Sequence, residues 1–490
     1  MSAIPSVVGI PAEMKLGNVD FSLPPDARSY SVKVASSNLS TITSPPISLV
    51  SAGAGAPTTT PQFVSQTAFF DIPCGQSPST FLDTRFSTIS FRATLTCSVA
   101  GAGSTITSAY LRSGGYSFFD RMYVTGGNGQ VLEDIGEYGL TYDLLTSLQL
   151  NPAVRDALAL QYGFFSDVNN GGNQGHAWAS LNARAPATTD IETHSYSMPL
   201  LSALLGMGSD KFVNIGRLNK LQVALQTATE LPITIATAGA MTGGTIQIQI
   251  SDIALNLEYV DIGSSSLHLL DETLVDGKAY LHGTTYKTSA VNMPTSVGNQ
   301  SLLAGIRGSS VRSLFSRFVD GGAISTTNSV NSKYDSKNPS ANSMNYNIAG
   351  LRVPNNPVNP LINPAGAFRN LEMAIGSFNN SQFQSAIIPA QYCRLSAGAT
   401  ASGTTLGGTQ DANYTIGSLT TALAQFIYGE NTEVVAKRGL MSGISCVNAP
   451  VFLEVNTSSA PTNAHQVYVH AMLDCVFIHD VRTGDIQVRL

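Results

Sequence analysis

Charge is what this sequence is shortest of. Only 12% of its 490 residues are Asp, Glu, Lys or Arg, about half the share usual in soluble domains. Little repulsion then keeps copies apart, which suits a surface consumed by contact with identical neighbours. No block of Lys or Arg occurs and the net charge is −6. The amino-terminal stretch sets Lys15, Arg28 and Lys33 against Glu13, Asp20 and Asp26, so its charge is near zero. Tight direct binding to nucleic acid is not expected, because affinity for phosphate needs clustered positive charge. Long apolar runs are also lacking: none reaches the ~18 residues of a membrane span. The opening Met-Ser-Ala-Ile-Pro has no charged start followed by an apolar stretch, so neither a transmembrane segment nor a cleaved signal is expected. The five cysteines, Cys74, Cys97, Cys393, Cys446 and Cys475, are odd in number with no close pair, which argues against a disulfide framework or zinc ribbon and fits synthesis in a reducing cell interior.

Catalytic patterns are missing as well. The seven histidines (His176, His194, His268, His282, His465, His470, His479) form no His-x-His or His-Glu-x-x-His, and the metal constellation of a duplicated cupin is absent. They read as surface or subunit-contact residues, with His470 and His479, nine apart on one strand, facing opposite sides by parity. Neither a Gly-x-Ser-x-Gly elbow nor a phosphate loop occurs, and Cys393 and Cys446 lack a nucleophile signature. The adjacent carboxylates Glu133/Asp134 and Asp271/Glu272 could be glycosidase acids but read better as solvated loop charges. No catalytic residue, metal site or cofactor is assigned. Five Asn-x-Ser/Thr triplets (Asn38, Asn299, Asn379, Asn413, Asn456) need carry no glycan, and the single tryptophan, Trp178, could be a carbohydrate platform but reads better as a buried anchor at a subunit contact.

What is present is β pattern. Ile89, Phe91, Ala93, Leu95, Cys97 and Val99 alternate with polar residues, the period of a half-buried strand. Apolar runs on either side of Gly126-Gly127-Asn128-Gly129 predict a hairpin. Gly136–Leu150 switches to helical spacing, and a second helix starts at Asn151-Pro152 and ends at Gly163. Further strands are expected at Leu221–Gln226, Thr245–Ile262, Val311–Val319, Leu371–Ser377, Val434–Leu440, Val451–Val455 and Val467–Ile478. Residues 263–310 read as a connection, and 320–365 and 395–415 as surface loops. Residues 1–60, rich in Pro and Ser, read as an extended arm.

Two matches suggest duplication. Ser117–Met122 resembles Ser313–Phe318, each soon followed by Gly-Gly, and Ile248–Ile262 lines up with Val467–Val481 in apolar pattern. A repeated all-β unit with helices confined to loops predicts two tandem antiparallel jelly-roll sandwiches, at 61–264 and 265–490.

Several short blocks then resemble a known family: Val131-Leu132-Glu133-Asp134-Ile135 with Tyr138 and its helix, Glu430-Asn431-Thr432-Glu433 before Leu440-Met441-Ser442-Gly443, Ala449–Glu454, and Asp480–Gly484. They are similar to double jelly-roll major capsid proteins of double-stranded DNA viruses, nearest the Polinton-like virus and virophage branch, over residues 65–490. That resemblance implies a non-enzymatic protein of the virion. Three chains would self-assemble as a homotrimer, a pseudo-hexagonal capsomer of an icosahedral shell, meeting neighbouring capsomers and minor capsid or penton proteins. A minor capsid, fibre or lectin-like glycan-binding β protein is the alternative.

Overall fold

The computed structural model describes residues 27–48, 65–99, 105–111, 113–165, 174–175, 189–206, 211–229, 233–238, 244–272, 274–321, 333–377, 385–395, 424–434, 441–461 and 463–490. Among the described residues, sixteen strands form the frame of four main sheets. The first eight are β1 (Arg28–Ala35), β2 (Thr67–Ile72), β3 (Thr80–Val99), β4 (Phe119–Gly126), β5 (Val131–Gly136), β6 (Thr189–Pro199), β7 (Leu221–Thr227) and β8 (Gly244–Asp261). The second eight are β9 (Lys278–Met293), β10 (Gly298–Ala304), β11 (Val311–Asp320), β12 (Ala341–Ile348), β13 (Leu351–Val358), β14 (Ile427–Asn431), β15 (Val451–Thr457) and β16 (His465–Asp480).

In the first half the sheets run β1-β8-β3-β6 and β2-β7-β4-β5; in the second, β9-β16-β11-β14 and β10-β15-β12-β13. Adding eight to each label of the first half gives the second, so the two units share one topology. In each, the last strand returns to the middle of a sheet and pairs antiparallel on both sides, as a jelly roll requires. Short strands add to this frame: Thr41–Thr43 and Ile47–Ser48 extend the first sheet along β8, and Asp485–Arg489 pairs with β16. Among the described residues no helix is long and apolar enough to cross a membrane.

Alternation explains the strands. In β3 the side chains of Ile89, Phe91, Ala93, Leu95 and Cys97 are buried, while Arg92 between them is exposed. β8 buries Ile246, Ile248 and Ile250, then switches parity to Ile253, Leu255, Leu257 and Tyr259. A bulge between Ser251 and Ala254, with Asp252 at φ 54°, makes the switch by inserting an unpaired residue. β16 buries Val467, Val469, Ala471, Leu473, Cys475 and Phe477 on one face and also Tyr468 and His470 on the other, so something covers its outside.

Several expectations change. Of the arm expected over residues 1–60, Arg28–Ala35 is β1, in register with β8 from Asp261 to Ala254. Its apolar alternation, Tyr30, Val32 and Val34, is too short to stand out among polar neighbours; residues 1–26 and 49–64 lie outside the described set. The supposed connection 263–310 holds a helix (Gly263–Asp271) and strands β9 and β10. Strand β9 (KAYLHGTTYKTSAVNM) lies at a sheet edge and needs little apolar alternation. The supposed loops over 320–365 contain β12 and β13. Pro354 and Pro357 make β13 read as loop, yet proline is tolerated on an edge strand.

Leu371–Ser377 is not a strand: most of it is the end of a helix over Pro364–Ile375, which Asn363 caps by accepting from the Gly366 N–H and Gly376 terminates at φ 81°. The expected hairpin joins β4 to β5, and a helix follows at Tyr138–Gln149. The second helix forms as two short pieces, Pro152–Ala157 and Ala159–Tyr162, ending at Gly163. Of the strand expected at Val434–Leu440, residues 435–440 lie outside the described set, as do residues 396–415 of the second expected loop.

The repeat is corrected too. Ser117–Met122 leads into β4, whose counterpart is β12, whereas Ser313–Phe318 lies in β11, the counterpart of β3. The two motifs share a pattern but not a place. The terminal match holds, since Ile248–Asp261 and Val467–Asp480 lie in the equivalent strands β8 and β16.

Phe91 packs edge-on against Phe118 and Phe119, with centroids 5.8 and 5.3 Å away, and lies 5.2 Å from Tyr196. Phe91→Ala is expected to destabilise the chain by about 3–5 kcal/mol, read as a lower midpoint in urea unfolding.

Candidate functional site

The cover over β16 is the helix α1 (Tyr138–Gln149), and the seam it forms between the two jelly rolls is the most developed polar site among the described residues. Residues Tyr138 to Leu148 of α1 are all buried. A helix buried on every side, with Thr141, Asp143, Thr146 and Ser147 among its buried residues, needs polar as well as apolar partners around it. One side belongs to the first unit: Tyr142 stacks on Tyr116 at 4.7 Å and donates to the Pro199 carbonyl at 3.1 Å, and the Tyr138 hydroxyl accepts from the Leu201 N–H at 2.9 Å. The other side meets the second unit, where Leu140 packs with Val319, Tyr334 and Tyr468.

Within this seam lies an ion pair excluded from water. Arg317 of β11 donates to Asp143 of α1 at 2.8 Å, with side-chain exposures of 0% and 3%. The other Asp143 oxygen accepts from the hydroxyls of Ser113 at 2.7 Å and Tyr116 at 3.0 Å. Arg317 also donates to the Tyr334 carbonyl at 3.2 Å. Removing two charges from water is costly, and the pair is stable because partners from both units surround it.

A second contact centres on Glu133 of β5. Its carboxylate accepts from Ser202 at 2.6 Å, the Ala203 N–H at 2.8 Å and, across the seam, Thr285 of β9 at 2.9 Å. Burial pushes its carboxyl above the usual range, opposed by these hydrogen bonds and by Lys211. Lys211 itself donates to the His282 carbonyl at 2.8 Å, and Lys333 of the second unit pairs with Asp120 at 2.6 Å and Glu137 at 3.3 Å.

The histidines of β16 are not surface residues: His465, His470 and His479 are all buried. The His470 ring nitrogen Nδ1 lies 2.8 Å from the Thr288 hydroxyl and 3.3 Å from that of Thr141, so it too belongs to the seam. Parity and burial agree here because the outer face of β16 is covered by the first unit. Desolvation, assisted by nearby Arg317, lowers His470 to about 3; desolvation lowers His479 to about 4 and also lowers His465.

The weighed carboxylates do not converge. Glu133 is buried in the seam and its neighbour Asp134 pairs outside with Arg121 at 2.6 Å, while Asp271 is held by Arg217 at 2.5 Å. Glu133, Asp134 and Asp271 are each held by a hydrogen-bond or ion-pair partner, whereas Glu272 is exposed. Cys393 and Cys446 are buried thiols, and burial raises Cys446 to about 11. Asn38 uses its amide to bind the Thr67 carbonyl, and Asn299 and Asn456 face each other across β10 and β15. Trp178, His176, Asn379 and Asn413 lie outside the described residues.

Sequence reading missed Arg317, Asp143 and His470 as one site. The signal was present as opposite charges in two apolar segments, Arg312 and Arg317 within Val311–Val319 and Asp143 within Tyr138–Leu148, but nothing in the sequence shows that these segments meet.

Together, twin sandwiches of one topology joined by a buried seam define a double jelly roll. No family model matches the chain, and no curated protein matches it. Solved structures do. A chain of the Sputnik virophage, determined by cryo-EM, superposes with a TM-score of 0.53 at 12% identity, covering 97% of this chain and 91% of that one. The mavirus major capsid protein gives 0.50 at 10% identity, covering 96% and 92%. The Faustovirus major capsid protein gives 0.50 at 10%, covering 94% and 92%. At these identities the likeness is one of fold.

Arg317→Met leaves Asp143 buried without its counter-charge and is expected to cost about 3–5 kcal/mol. Arg317→Met with Asp143→Leu should recover much of that loss in urea unfolding, since no unpaired charge remains.

Stability should also depend on pH. Each histidine held below its ordinary value of 6.5 contributes stability that is complete above 6.5 and is lost as pH falls toward the folded values of about 3 and 4. Glu430, raised by burial from 4.5 to about 7, acts oppositely: its contribution is complete below 4.5 and is lost as pH rises through 7. The terms oppose between 4.5 and 6.5; below 4.5 the histidine loss continues, and protonation of Glu454, whose carboxyl the Asn347 amide holds below its ordinary value, adds to it. Melting temperature should therefore fall between pH 4.5 and 3, and His470→Gln should flatten that fall in a thermal melt series.

Proposed function

We propose that this chain is a major capsid protein, whose role is structural rather than catalytic and whose place is the shell of a virion. The observation that carries the reading is the seam: two units of identical strand order are held by a buried ion pair as one block, the form of a shell tile rather than of two independent modules. The extent of the fold likeness supports it, since the solved capsid structures are covered over 91–92% of their length. The tandem units divide within the segment between Asp261 and Lys278, and part of the expected arm serves as the first strand of the first unit. Three chains would place six jelly rolls in one pseudo-hexagonal ring, which would meet neighbouring capsomers and minor capsid or penton proteins in an icosahedral shell. The low charge and the acidic balance suit contact between copies and leave the genome to other components.

Size-exclusion chromatography with light scattering is expected to give a homotrimer of the 51.5 kDa chain at micromolar concentration, and negative-stain microscopy should show hexagonal outlines. A stable monomer overturns the reading.

A further inference from the structure

We infer that the cavity beneath the segment linking the two jelly rolls binds a neutral aliphatic alcohol, a molecule with an alkyl body and a hydroxyl group. The inference goes beyond the capsid reading and does not rest on it.

The cavity has a volume of about 240 Å³. Jelly roll 1 supplies Phe81 of β3 and Phe212 to its wall, the linking helix (Gly263–Asp271) supplies Leu267 and Leu270, and β9 supplies Leu281. A chain of about eight carbons fills such a space, each group taking roughly the 30 Å³ of a water molecule. The wall is apolar yet incompletely covered. Phe212, Leu267, Leu270 and Leu281 all stay partly exposed, and at the mouth Val275 is 60% exposed and Tyr280 46%. Farther along the seam the packing is closed, with α1 buried from Tyr138 to Leu148. Water keeps its place through hydrogen bonds, and this wall offers it few, so an apolar body displaces it favourably.

One polar atom fixes what else the ligand carries. His479 of β16 lines the cavity and is 1% exposed. Its ring bonds to the Arg217 backbone carbonyl, while Nε2 has no hydrogen-bond partner. Burial keeps the ring neutral, and a neutral imidazole that donates from one nitrogen presents a lone pair at the other. Nε2 therefore calls for a donor. The neighbouring polar groups of the lining are already served: Arg217 forks onto Asp271 at 2.5 and 2.8 Å, and Asn214 accepts from the Arg217 N–H at 3.2 Å and donates to the Pro78 carbonyl at 3.2 Å.

Charge and main chain narrow the class further. Around the mouth Lys278 and Arg482 flank Asp480, and the linking segment adds the exposed Glu272 and Asp276. A carboxylate head finds no excess of positive charge there and sets one acceptor against another at Nε2. A peptide draws affinity from main-chain partners, and those of the lip are engaged: Val275 and Lys278 exchange both backbone bonds, at 3.3 and 2.9 Å, and the Val481 N–H donates to the Gly277 carbonyl at 3.0 Å. An alkyl chain needs no such partner, and a hydroxyl donates to Nε2 without bringing charge.

The test is isothermal titration calorimetry of the purified full-length protein. 1-Octanol is expected to bind saturably at one site per chain, and octanoate at neutral pH should bind at least about tenfold more weakly. His479→Leu should weaken octanol about three- to tenfold, the worth of one hydrogen bond. Leu267→Trp, which fills the cavity from its helical cover, should abolish binding. Circular dichroism melts identify a variant that fails to fold, and Leu267, being partly exposed, keeps the test readable if His479→Leu does not fold. Absence of saturable octanol binding overturns the inference, Nε2 then being served by water. Octanoate binding as tightly as octanol overturns it, and so does octanol binding that survives Leu267→Trp, which puts the alcohol elsewhere. Co-sedimentation with phosphatidylcholine vesicles carrying 1-monooleoylglycerol, lost in Leu267→Trp, marks a bilayer as the source of the alcohol; octanol binding without co-sedimentation marks a free molecule, and both of these outcomes uphold the site.

Discussion

The pairing of Arg317 with Asp143 is the constraint on which the double unit depends. A charged pair without water is tolerable only when its geometry is fixed by further hydrogen bonds, and those come from Ser113 and Tyr116 in the first unit and, through Arg317, from the second. The two jelly rolls therefore cannot slide or swing apart without stranding a charge. Hydrophobic contact alone, such as Leu140 against Val319 and Tyr468, would hold the units together but would specify their relative position less sharply.

Around that fixed point the helix α1 has two duties. It closes the side of its own sandwich through Tyr138 and Tyr142, and it serves as the lid of the next sandwich. The second duty explains the burial of both faces of β16 and the neutral His470 within a strand that would otherwise have a wet side. Glu133 and Lys211 repeat the arrangement farther along the seam, with a buried carboxylate from one unit bonded to a hydroxyl of the other and an ammonium bonded to a backbone carbonyl. A rigid pair of units has fewer internal freedoms to lose on binding a partner, which lowers the entropic cost of that contact.

Duplication with divergence is visible at the level of topology and hardly at all in sequence. The strand orders are the same in both halves, yet β1 has eight residues and its counterpart β9 has sixteen, and β6 has eleven where β14 has five. Edge strands vary because only one neighbour constrains them. The central strands β8 and β16, with neighbours on both sides, kept a similar length and apolar pattern, and for that reason the terminal match was readable.

The sequence by itself determined the class of the fold, the absence of catalytic spacing, the strands with strong alternation, the hairpin at Gly126–Gly129 and the helix over Tyr138–Gln149. These are local properties: period two, turn residues and period 3.6 act over a few residues. Edge strands β1, β9 and β13 were hidden because a strand with a wet side, or one paired along a single edge, needs little apolar alternation, and the interior strand β12 was hidden because its asparagines and serine break the pattern. The strand formed by Ser313–Phe318 was legible, but its place beside β16 rather than in the other sheet was not. Only the tertiary structure decided that Arg317 meets Asp143, that His470 is dry and that jelly roll 1 covers jelly roll 2. Those pairings join residues 174 and 329 positions apart, and no local rule carries information over such distances.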